Sequence, residues 1–110
     1  MYYLTPSEEK SLHEFSSKIK SALKENLFDL KLFGSKSTGK FHDESDIDIL
    51  ILVNRRDEHT LDIISEILLD VELKYDSRLS PVVLTVSEFM QNQKHQTLFY
   101  NEVARDGVTL

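Results

Sequence analysis

The chain has 110 residues, 40% hydrophobic and 29% charged, which is the balance of a folded globule and not of a disordered tail. Its 13 Lys and Arg stand against 19 Asp and Glu, and a net charge of −6 argues against a broad basic face for duplex nucleic acid. With no Cys, a disulfide scaffold, a thiolate metal site and a Cys nucleophile are all excluded. This length predicts one domain over 1–110. The longest apolar run, 49–53, is far short of the ~20 residues a membrane helix needs. The opening MYYLTPSEEK lacks the basic-then-apolar order of a secretory signal, so the expected location is the cytoplasm.

Thr5-Pro6-Ser7-Glu8 reads as a capping box with Pro6 at the first helical position. Leu12, Phe15, Ile19, Leu23 and Leu27 then recur every three or four residues, predicting a helix to about Asn26. Alternation over 28–33 predicts a strand, and the polar stretch 34–45 a loop. The run 46–53, rich in Ile and Val, predicts a strand central in a sheet. After a turn at 54–57, Leu61, Ile64, Ile67, Leu68 and Val71 predict a helix over 58–75. A third strand follows over 80–86, with Pro81 at its edge or start. Ser87 then reads as the N-cap of a short helix, and a last helix over 94–105 is closed by Gly107 at C′. This order predicts an α/β architecture, a small sheet with helices on one or both faces.

The chemistry concentrates in LFGSKSTGKFHDESDIDILILV, residues 32–53. Gly34 directly follows a strand, where it lets the backbone turn tightly and approach an anion. Ser35 adds a hydroxyl and a backbone donor. Lys36 and Lys40 stand near that turn as candidate phosphate contacts, and His42 reads as an exposed loop residue. Asp46 and Asp48 open the next strand and, by alternation, point to one face while Ile47 turns inward. Two adjacent carboxylates repel unless a cation sits between them, and such oxygen ligands suit Mg²⁺ shared with substrate phosphates. The same stretch fits G-x-x-x-x-G-K from Gly34 to Lys40, but Phe41 stands where a P-loop needs Ser or Thr.

Gly34-Ser35, ten residues, then Asp46-x-Asp48 resembles the G-S-x10-D-x-D signature of the nucleotidyltransferase superfamily, and the chain is similar almost throughout to the minimal nucleotidyltransferases. That resemblance implies the polymerase β-like fold, a small mixed sheet flanked by helices. It implies transfer of a nucleoside monophosphate, usually AMP from ATP, to a hydroxyl on a partner protein or a small molecule. Gly34, Ser35 and Lys36 would hold the nucleotide, and Asp46 and Asp48 would be the catalytic carboxylates binding two Mg²⁺ ions. It also implies a partner: small members often act as antitoxins beside a helical HEPN-type protein, and the acceptor surface comes from such a chain or from a second copy in a homodimer. The sequence departs from the family in one respect. The following strand, 81–86, lacks the usual third carboxylate, and Glu72, Asp76 and Glu88 are the nearest acids. A base within reach typically contributes 10² to 10⁴ in rate. An alternative reading is therefore a module that neutralises a partner by binding, with little or no chemistry.

Overall fold

The structure, a computed structural model, describes residues 4–34 and 46–110. Helix α1 (Pro6–Leu23) starts where the capping box places it: the Glu8 amide donates to the Thr5 hydroxyl at 3.1 Å, and the Thr5 amide to the Glu8 carboxylate at 2.9 Å. It stops earlier than its apolar stripe suggests. Lys24 adopts a left-handed φ of 49°, and Lys24–Asn26 form one 3-10 turn before strand β1 (Leu27–Phe33).

Strand β2 (Ile47–Val53) returns antiparallel to β1, with Phe33 opposite Asp48. Helix α2 (Glu58–Tyr75) then carries the chain back to the other end of the sheet. Only such a crossover allows strand β3 (Leu79–Thr85) to lie parallel to β2. Helices α3 (Val86–Lys94) and α4 (Leu98–Asp106) follow, and a two-residue strand β4 (Val108–Thr109) pairs with β1. The sheet order is β3-β2-β1-β4, so Pro81 sits on an edge strand, where its missing N–H costs least. The small mixed sheet flanked by helices is the fold the resemblance implies.

Both faces of the sheet are covered. On one, Leu30, Leu32, Ile47, Ile49, Ile51 and Val53 pack with the stripes of α1 and α2. On the other, Phe33, Leu50 and Leu52 pack with Val103 and Phe99 of α4 and Phe89 of α3. Burial on both sides explains why β2 is apolar almost continuously instead of alternating. Asp48 is the one β2 residue not fully buried, and it shares the α3–α4 face with Leu50 and Leu52.

Three local expectations change. The N-cap of α3 is Thr85, not Ser87, because Thr85 and Glu88 form the capping box. The last helix starts at Leu98, since Gln96 turns left-handed (φ 47°) and Thr97 caps the new helix by accepting from the Tyr100 amide. Gly107 is extended (φ −65°), because the chain passes straight into β4.

Helices α1 and α2 are clamped by Glu14, which receives Lys74 Nζ at 2.8 Å and the Tyr75 hydroxyl at 2.9 Å. With Lys74 first, then Lys18 and Tyr75, these donors hold the Glu14 carboxyl down to about 2. A lowered acid contributes stability above its unfolded value of 4.5, and that contribution is lost as pH falls towards 2. Glu14→Gln should therefore lower the melting temperature at pH 7. The gap to the unaltered protein should close as thermal melts are repeated at successively lower pH between 4.5 and 2.

Candidate active site

Three strand ends meet at one corner of the sheet: the end of β1, the start of β2 and the start of β3. The register puts Phe33 and Ser80 on either side of Asp48. Asp46 lies immediately before β2, and Gly34 immediately after β1.

Gly34 is buried and adopts φ +77°, the left-handed region open to glycine. A Cβ built there would collide with the Asp48 carboxylate, lying 3.1 Å from its Cγ and 3.3 Å from its Cβ. The turn leaving β1 is thus packed directly on the acid opening β2. Antiparallel pairing of the two strands brings the halves of the sequence motif together, although ten residues separate them along the chain.

Burial pushes the Asp48 carboxyl up from its ordinary value of 3.8, and the charges of Asp46 and Glu102 push it further. The Asp46 charge is thus felt at Asp48. A divalent cation would relieve this crowding, so the donor set fits Mg²⁺. Among the described residues no group of three or more His, Asp or Glu is placed to hold a metal unaided. Two protein carboxylates completed by phosphate oxygens and water is a usual arrangement for Mg²⁺.

Of the acids considered for the third position, Glu88 and Glu72 have other partners. Glu88 forks onto Arg56 (2.8 and 2.9 Å) and accepts the Thr85 amide at the far end of β3, about 17 Å from Ser80 at ~3.3 Å per residue. The Glu72 carboxylate accepts from the Leu79 amide at 3.1 Å, and Asp76 closes α2 in a left-handed conformation. Strand β3 instead offers Ser80 beside Asp48, with Val82 beside Leu50.

Two residues at the corner escape the motif. Glu102, half-buried on α4, faces inward because Phe99, one turn earlier, packs edge-on against Phe33 at 5.5 Å. Arg78 reaches Asp46 from the turn before β3 (Nε to Oδ1 3.8 Å). Helical spacing from Phe99 could have flagged Glu102. Nothing local flags Arg78, which depends on the parallel register. Ser35 and Lys36, with Lys40 and His42, lie outside the described residues.

A family profile described as a nucleotidyltransferase domain matches residues 16–107. A provisionally named protein adenylyltransferase of Methanocaldococcus jannaschii is 33% identical over 104 residues, 94% of this chain and 98% of the relative. Among solved structures, a toxin-antitoxin crystal structure with AMP-PNP superposes with a TM-score of 0.57 at 24% identity, covering 86% of this chain and 68% of that one. A double aspartate-to-glutamate mutant of the toxin-antitoxin MntA-HpeT gives 0.58 at 21% identity, covering 96% and 72%. These two share the fold. No helix among the described residues is long and apolar enough to cross a membrane.

Proposed function

Because the chain belongs to the nucleotidyltransferase domain family, we propose that it transfers AMP from ATP, with Mg²⁺, to a hydroxyl of a partner protein, as the antitoxin of a toxin-antitoxin pair whose toxin is a helical HEPN-type protein. The carrying observation is the packing of the left-handed Gly34 turn on Asp48, with Asp46 close enough to perturb its charge. The protein acceptor is supported by the adenylyltransferase designation of the relative, and the nucleotide by the AMP-PNP of the toxin-antitoxin neighbour.

In this reading Asp46 and Asp48 hold the metal, while the Gly34 turn, Ser35 and Lys36 lie along the triphosphate. When bound, Mg²⁺ supplies neutralisation of phosphate charge and acidifies a hydroxyl in its reach. The acceptor oxygen bonds to the α-phosphorus, the bond to the pyrophosphate oxygen breaks, and the hydroxyl proton is released. The chain's own contribution is positioning. Asp48 on a strand buried on both faces and Asp46 just before it would fix the charge centre, and the Gly34 turn keeps backbone close to Asp48.

An acid limb follows from the raised Asp48. Metal must compete with its proton, so metal affinity should weaken on acidification at a pH above the ordinary Asp value of 3.8. Titrations with Mn²⁺ across pH 4 to 7 check this, and a flat profile would oppose it.

The assay is incubation of the protein and its candidate toxin with α-labelled ATP and Mg²⁺. Label on the toxin, lost in Asp46→Asn, is the expected result. Label on this chain instead would make a second copy the acceptor. Toxin bound tightly without label, equally by Asp46→Asn and Asp48→Asn, would replace transfer by neutralisation through contact.

A further inference from the structure

Arg78 is the last residue before β3, and its carbonyl accepts the Ile47 amide at 2.9 Å. Leu79 is registered with Ile47, so one step back along the parallel pair Arg78 stands beside Asp46. The backbone at this point is part of the sheet, while the side chain is not: Arg78 is 63% exposed and Asp46 51%. The other arginines of the chain are committed elsewhere. Arg55, Arg56 and Arg105 hold carboxylates at 2.8, 2.8 and 2.7 Å. Arg78 stands off at 3.8 Å from its acid, a loose contact in open solvent that costs little to break.

A guanidinium in that place has two faces to its chemistry. Before a metal arrives, it offsets Asp46 in a corner where Asp46, Asp48 and Glu102 crowd negative charge. Once a dication is held by the aspartates, the same guanidinium is repelled from it and attracted to the anion the metal carries. Its planar fork matches phosphate oxygens bidentately, which a lysine cannot do. Both side chains are largely exposed, so neither has to leave a buried position for the exchange.

Resting on the nucleotidyltransferase reading above, we infer that Arg78 is a counter-ion switch of this site: it occupies Asp46 in the free protein and transfers to the polyphosphate of the bound metal nucleotide. As a surrogate cation it competes weakly with metal, and as a phosphate ligand it strengthens nucleotide binding. These opposite signs set it apart from a residue that merely supports the fold.

The test is calorimetric, on the full chain, with two probes: Mn²⁺ alone, and ATP carrying a non-cleavable α–β methylene bridge in saturating Mg²⁺. Arg78→Gln keeps the backbone bond to Ile47 and removes the charge. It should bind the nucleotide analogue about tenfold more weakly, the scale of losing a charge-assisted hydrogen bond. Its affinity for Mn²⁺ alone should be unchanged or up to about threefold higher, since a competing cation is gone. Arg78→Lys, with charge but no fork, should fall between for the nucleotide. Unchanged nucleotide affinity in Arg78→Gln would overturn the proposal. So would a joint fall in metal and nucleotide affinity, which would make Arg78 a structural prop. Should the unaltered protein take up neither probe, the Asp46–Asp48 reading fails and this inference with it. Failure confined to Arg78→Gln leaves that reading standing.

Discussion

Asp48→Asn should cut nucleotidyl transfer about 10²- to 10³-fold, the usual effect of removing one element of a preorganised electrostatic site. The same change should stabilise the protein at neutral pH. Asp48 is held partly out of water beside two like charges, and its carboxyl is raised. For an acid so raised, the folded state binds the proton more tightly than the unfolded chain. Stability is therefore greatest below the unfolded value of 3.8 and declines as pH rises through the raised folded value. The neutral amide removes that penalty. Labelled-product assays together with melts at pH 7 and pH 4 check both halves. Activity should collapse, the melting temperature should rise at pH 7, and the rise should shrink towards pH 4. A variant with full activity, or one destabilised at pH 7, would contradict the assignment of Asp48 as a functional acid held at a structural cost.

Gly34→Ala carries the second large effect. At φ +77° an L-residue incurs the left-handed penalty, about 1–2 kcal/mol, and its Cβ must also displace the Asp48 carboxylate. The expected result is a fall in melting temperature of about 5–10 °C and loss of most activity, through the aspartate being moved. A cycle with Asp48→Gly separates the two costs. With no side chain to strike, the double variant should retain only the conformational penalty, so the stability effects should be less than additive. Strict additivity would mean that the turn and the aspartate do not touch.

Much of the frame is legible from residue order. The capping box at Thr5 and Glu8, the stripe Leu12–Phe15–Ile19 and the apolar run of β2 each state their structure locally, because spacing and capping chemistry act over one or two turns. What is illegible depends on neighbours in space. Strand β4 has two residues and exists only because β1 offers it an edge. The cap of α3 is different in kind: Glu88 three residues after Thr85 spells a capping box locally, and that spacing favours Thr85 over Ser87.

The site divides in the same way. Gly34, Asp46 and Asp48 are visible as a spaced motif, since glycine conformation and strand alternation are local properties. That Gly34 bears on Asp48 follows from the antiparallel register, and Arg78 and Glu102 enter only through the parallel strand and the packing of α4. Glu72, Asp76 and Glu88 are close to the third strand in sequence. The chain's direction carries Glu88 to the wrong end, and Glu72 is committed to a backbone amide.

Backbone amide NMR during titration with Mn²⁺ and the methylene-bridged ATP analogue tests the central claim most directly. Paramagnetic broadening centred on Gly34, Asp46, Ile47, Asp48 and Leu79, and abolished in Asp48→Asn, is the predicted result. Broadening centred on the α1–α2 face around Glu14 and Lys74, or unaffected by Asp48→Asn, would show that the aspartate corner is not where this protein binds metal and nucleotide.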